Sequence, residues 1–160
     1  MMVKESVLMF EDVLNDIKDG AGDFDKRDVT LLNPLVLAYI GDAVYEMFVR
    51  TVVIMSQPES SVHKMHMKTT EFVKAHAQFE ILKRISPDLT EEEANIVRRG
   101  RNCKSGFVPK NADVVEYRMA TGFEALIGYL YMIQNNKRLI EMLNLSVSGE
   151  HDMGDVPHFI

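Results

Sequence analysis

Asp42 lies in the middle of the apolar run Leu35–Met47 (LVLAYIGDAVYEM), and Glu124 in the middle of Met119–Met132 (MATGFEALIGYLYM). Burying an unpaired carboxylate is costly enough that such groups neutralise, pair or hold a cation. Each run also carries an interior glycine, Gly41 beside Asp42 and Gly128 one turn after Glu124. A helix-interior glycine costs about 1 kcal/mol against alanine, and one use for it is to let another backbone come close. Two closely crossing helices, each offering an acid, would form a carboxylate site for magnesium, which takes oxygen ligands and keeps several waters. Such a site can activate water and neutralise charge developing on a phosphate. Glu46, one turn after Asp42, is either a further acid near the site or an i,i+4 partner for Arg50.

The elements that must position these groups read as helices. Val3, Val7, Phe10, Val13, Leu14 and Ile17 share one face of an amphipathic helix over about 3–18. The polar stretch from Gly20 to Asp28 (GAGDFDKRD) reads as a flexible connector. The first core helix is expected over about 33–54, with Pro34 tolerated in its first turn. A long helix follows over about 61–84. Thr90 and Glu93 form a capping box that opens the next helix, and Gly100 is placed to close it. After a loop over about 101–112 come helices over about 113–134 and 137–144, then a mobile tail. No strand-period alternation persists and no linker divides the chain, so the expected fold class is all-α with a single domain.

The segment Arg98–Lys110 (RRGRNCKSGFVPK) holds Arg98, Arg99, Arg101, Lys104 and Lys110 and no acid. Glycine and proline keep it irregular, and such a loop can follow a phosphate backbone without reading sequence. Arg118, two turns before Glu124, is a further phosphate ligand candidate. His63 and His66 could share a helix face, with His76 beyond, but no cysteine or acid completes a zinc set. The abundant methionines are accounted for by apolar packing.

Bulk composition agrees with a globular domain: 160 residues, 46% hydrophobic, no apolar stretch near the roughly 20 residues of a membrane span. The acidic start is unlike a signal peptide, and Cys103, the lone cysteine, excludes an internal disulfide, so a soluble cytoplasmic protein is expected. The formal charge of −6 argues at first against a nucleic-acid partner. Its distribution reverses that. Residues 1–46 carry ten acids against four bases, and 141–160 four acids and no base, which leaves 47–140 at +4. A local basic patch is the footprint that a phosphate backbone requires.

The residues then point to a family. Ala38–Glu46 (AYIGDAVYE) resembles the ribonuclease III signature, and Thr121–Tyr131 (TGFEALIGYLY) resembles the second catalytic helix of the same fold. Val62–Leu82 and Val97–Leu126 are similar to the Mini-III branch, a short form without a double-stranded-RNA-binding domain. The likeness covers roughly 31–145, leaving 1–30 as an N-terminal extension and 146–160 as a tail. It implies a magnesium-dependent endoribonuclease that cuts double-stranded RNA by metal-activated water, leaving a 5′-phosphate and a 3′-hydroxyl. Asp42 and Glu124 would be the catalytic metal ligands, and the Arg98–Lys110 loop with Arg118 would seat the duplex. Ribonuclease III enzymes generally add a Glu four residues before the Asp and an Asp three residues before the second Glu; here Ala38 and Thr121 stand there. Mini-III proteins share that thinning, which implies weaker and more water-mediated metal binding; the sequence leaves open whether Thr121 supplies a hydroxyl ligand. The resemblance also implies a homodimer, a precursor large-subunit (23S) ribosomal RNA substrate, and help from a ribosomal protein on the assembling particle. Two other readings use the same residues: a non-catalytic RNA-binding or ribosome-assembly protein on this fold, or an all-α interaction scaffold.

Overall fold

The structure is a computed structural model that describes residues 10–17, 19, 25–104 and 108–148. Among these the regular structure is entirely helical. Residues 10–17 form α1, followed by α2 (Lys26–Leu31), α3 (Pro34–Ser56), α4 (Val62–Val73), α5 (Ala75–Ile85), α6 (Glu91–Asn102), α7 (Val114–Met132) and α8 (Asn136–Val147). A short 3₁₀ turn, Ser86–Asp88, joins α5 to α6.

Helix α7 is the axis of the fold. Ala120, Gly122, Phe123 and every residue from Ala125 to Leu130 are buried, so it is covered nearly all round, as an apolar helix without a polar face must be. Helices α3, α5 and α6 pack against it, with α2 and α8 at the margins. The α3–α7 crossing is the closest. A Cβ on Gly41 would run into the carbonyl oxygen of Glu124 and come within 2.7 Å of the Gly128 nitrogen; one on Gly128 would meet the carbonyl oxygen of Leu37. The two glycines therefore let backbone lie on backbone, which is the use that their helix-interior positions suggest. One turn beyond, Tyr45 of α3 meets Phe123 edge to face at 4.9 Å between centroids.

The helix ends follow local chemistry. Asn33 caps α3 through Leu35 N–H at 2.9 Å, with Pro34 in the first turn. Asp113 caps α7 through the Val115 and Glu116 amides. The capping box is present in full: Thr90 Oγ1 accepts from Glu93 N–H at 3.2 Å, and Glu93 Oε2 accepts from Thr90 N–H at 2.9 Å. Glu93 is also buried against Arg138 of α8 in a two-pronged ion pair at 2.8 and 2.9 Å. In α1, Phe10 and Leu14 are buried, Phe10 standing 5.6 Å from the Phe48 ring, so this helix is a layer of packing on α3. The expected residues 3–9 of that helix lie outside the described residues.

Four expectations are corrected. Part of the connector is helical: Asp25 accepts from Arg27 N–H at 2.8 Å as the cap, and Val29 is completely buried, so Lys26–Leu31 is α2. The helix over 61–84 is two helices, broken at Lys74, which takes an extended conformation (φ −66°, ψ 150°) with no proline or glycine nearby. Gly100 does not close α6. It lies inside the helix, where an added Cβ would stand 3.0 Å from Gly122 Cα and from Ala125 Cβ, so it serves the α6–α7 contact. Finally, α8 runs to Val147 with Ser146 and Val147 buried, so ordered packing extends past the expected helix end and into 146–147 of the expected tail; 149–160 lie outside the described residues.

Candidate active site

The close crossing fixes where the two acids stand. Asp42 follows Gly41, whose backbone rests on the carbonyl of Glu124, so the α3 and α7 carboxylates open into one cleft of about 650 Å³. Its lining includes Ala38, Tyr39 and Asp42 from α3, Ala75 and Gln78 from α5, and Tyr117, Thr121 and Glu124 from α7. Helices α3, α5 and α7 supply its polar lining and α4 adds Val73, so the site is built by more than the two helices that carry the acids.

The electrostatics are those of acids held together without a counter-charge. Burial pushes the Glu124 carboxyl up, and the charge on Asp42 pushes further in the same direction, to about 8. Gln78 draws it back down without completing a hydrogen bond to it. Asp42 is also raised, by burial and then by the charge on Glu46. Glu46 itself is taken by Arg50, whose Nε donates to Oε1 at 2.9 Å, so it borders the site as one half of an ion pair. The Thr121 hydroxyl donates to Tyr117 O at 3.0 Å; its oxygen keeps acceptor capacity toward the cleft.

The donor set fits magnesium. Two carboxylates, a threonine hydroxyl and a glutamine amide face the cleft, with no thiolate or imidazole among its lining. Oxygen donors suit a hard cation, and magnesium needs only one or two carboxylates when waters complete its shell. Among the described residues no three histidine, cysteine, aspartate or glutamate side chains converge, so the pair Asp42–Glu124 stands without a third acid.

The basic residues divide. Helix α6 crosses α7 where Gly100 meets Gly122 and the Thr121 carbonyl, so the basic segment leaves α6 about one turn from Glu124. Arg98, Arg101, Lys104, Lys110 and Arg118 are exposed; Ser105–Phe107 lie outside the described residues. Arg98 donates to Asn95 Oδ1 at 2.7 Å and Arg101 to Asn102 Oδ1 at 3.3 Å, both at the surface. Arg99 is different. Its guanidinium donates to Thr30 O at 2.6 Å and Leu32 O at 2.9 Å, fixing the link between α2 and α3. His63 and His66 are exposed, and His76 pairs with Glu116 at 2.7 Å, away from any zinc-like set.

Gln78 is the site residue that sequence reasoning passes over. The signal was present: a glutamine on the same phase as Ile81, Leu82 and Ile85 is a polar group on a buried stripe.

Comparison with known proteins adds an independent line. The Ribonuclease III domain family matches residues 35–135. The chain is 50% identical over 126 residues to the Mini-ribonuclease 3 of Clostridium tetani, covering 79% of this chain and 83% of that one. It is 52% identical over 122 residues to the Mini-ribonuclease 3 of Thermoanaerobacter sp., covering 76% and 85%. Among solved structures, protein FN1578 from Fusobacterium nucleatum superposes with a TM-score of 0.68 at 31% identity, covering 78% of this chain and 98% of that one.

Proposed function

Because this chain belongs to the Mini-ribonuclease 3 branch of the ribonuclease III family and is therefore an endoribonuclease, we propose that it cuts double-stranded RNA with magnesium held by Asp42 and Glu124. The observation that carries this reading is the glycine-lined crossing of α3 and α7, which sets two carboxylates in one cleft of oxygen donors. Magnesium, when bound, supplies a Lewis acid to water and to the scissile phosphate.

The protein's own part is positioning. Glu124 would hold the cation as its carboxylate, since ligands must be deprotonated to bind. Thr121 offers an oxygen at the edge of the cleft, where a water could bridge it to the acids. Arg98, Arg101, Lys104, Lys110 and Arg118 seat the phosphates, and Arg99 holds the chain that leads into α3. A-form RNA is met mainly through its backbone and 2′-hydroxyls, so these contacts position the duplex without selecting sequence. Cleavage leaves a 5′-phosphate and a 3′-hydroxyl.

Both strands of a duplex require two sites, and a two-fold dimer provides them. Val36 and Tyr39, one turn apart on α3, are 51% and 83% exposed beside the cleft, an apolar surface suited to that contact. The family resemblance supports the paired ends of precursor 23S ribosomal RNA as the substrate, in the cytoplasm, with a ribosomal protein assisting on the pre-ribosomal particle.

The test is cleavage of an end-labelled RNA duplex by purified protein, with magnesium or with EDTA, beside Asp42→Asn. Magnesium-dependent cutting that falls at least about a hundredfold in Asp42→Asn is the expected result. Duplex binding without cutting, equal in both proteins, would overturn it in favour of a non-catalytic RNA-binding or ribosome-assembly protein.

A further inference from the structure

Gln78 is 1% exposed, and neither its Nε2 nor its Oε1 has a hydrogen-bond partner. Buried amides are almost always bonded, so an orphan in a native structure needs a reason. The other buried side-chain atoms without partners among the described residues belong to Tyr45, Tyr129 and Asn144, none of which lines the cleft. Only Gln78 does, facing the same space as Asp42 and Glu124.

The chain bends to put it there. Phe72 is buried on α4, and in an unbroken helix the next inward position, four residues on, would be His76. The extended Lys74 shifts the phase, so His76 is exposed and Ala77 and Gln78 turn inward. A side chain of that volume with methylenes and a methyl would satisfy the core without an amide. What an amide adds is two donors and one acceptor held rigidly beside two acids.

We propose that Gln78 is a positioning residue of the acidic site, its NH₂ orienting the Glu124 carboxylate and its carbonyl oxygen accepting from a water in the hydration shell of the cation. The proposal rests on the reading of Asp42 and Glu124 as cation ligands. It deepens that reading by making α5 the third wall of the site: groups that hold a metal ligand from behind typically set affinity by a factor of ten to a hundred. It also explains how a site with two acids fills a coordination sphere, since the amide fixes one of the waters that complete it.

The test compares wild type, Gln78→Met and Asp42→Asn. Manganese binding to the metal-free proteins is followed by the loss of the free-ion electron paramagnetic resonance signal. Melting is measured in EDTA, and kcat and KM on an RNA duplex are measured separately. Gln78→Met should bind manganese about tenfold more weakly or worse. It should lose kcat with KM little changed, and melt in EDTA no lower than wild type, because an unsatisfied amide has gone. Unchanged manganese affinity in a folded Gln78→Met overturns the proposal and leaves the nuclease reading standing. Absence of both ion binding and cleavage in wild type overturns the two together. Should Gln78→Met not fold, the side-chain amide resonances of Gln78 in wild type decide. They shift on adding magnesium if the proposal holds, with no such shift in Asp42→Asn; resonances that stay still while magnesium binds overturn it.

Discussion

At Glu124, burial and the charge on Asp42 act in one direction, and the carboxyl is pushed from 4.5 to about 8. The consequence for stability has a definite sign. The folded protein keeps a proton that the unfolded chain releases, so in the absence of metal stability falls as pH rises from about 4.5 through about 8, and the loss is complete above that. Glu124→Gln removes this dependence. In EDTA the variant should melt above wild type at about pH 8.5 and close to it at about pH 4.5, measured by scanning calorimetry at both values. Equal melting shifts at the two pH values would mean that the carboxyl is not held up by its surroundings. Such a gain in stability with loss of function is what a site kept for chemistry, and not for packing, should show.

At the scale of elements, α7 is gripped by two glycine contacts of different severity. Gly41→Ala drives a methyl into the Glu124 carbonyl, a backbone atom that cannot step aside. The cost should reach about 3 kcal/mol or more, and it falls on the α3–α7 crossing that positions both acids. Gly100→Ala meets Ala125 Cβ and Gly122 Cα at 3.0 Å, a milder overlap. The gain of about 1 kcal/mol from replacing a helical glycine applies to both positions, and set against the milder overlap it leaves Gly100→Ala with the clearly smaller net loss. Urea unfolding of the two variants checks the order, and a Gly100→Ala loss as large as that of Gly41→Ala would contradict it. The Gly41 reading was open to sequence, because the glycine stands beside the acid it serves. Gly100 was misleading, since a glycine after two arginines also fits a helix stop, and only the neighbouring α7 shows that the helix continues.

For the whole molecule, the separation of acids toward the ends from a +4 middle lets a chain of net charge −6 meet a phosphate backbone. In the proposed cleavage, a single copy would reach one strand. If the exposed Val36–Tyr39 surface joins two copies, Tyr39→Asp should convert a dimer to monomers in sedimentation equilibrium. It should also convert double-strand cuts to single-strand nicks on a labelled duplex. A variant that remains dimeric would place the interface elsewhere.

What the sequence determined by itself was local in origin. Apolar periodicity gave helices, Pro34 and the Thr90–Glu93 box gave helix starts, and an acid beside or one turn from a glycine in an apolar helix gave the crossing and the pair Asp42–Glu124. Each signal is complete within about a turn of chain. The tertiary structure decided the rest because the partners are far apart in sequence. Arg99 reads as one more surface cation until the carbonyls of Thr30 and Leu32, 69 and 67 residues earlier, come within reach and capture it. Lys74 reads as mid-helix until the core demands that Phe72 and Gln78 both face inward, a phase that one continuous helix cannot supply.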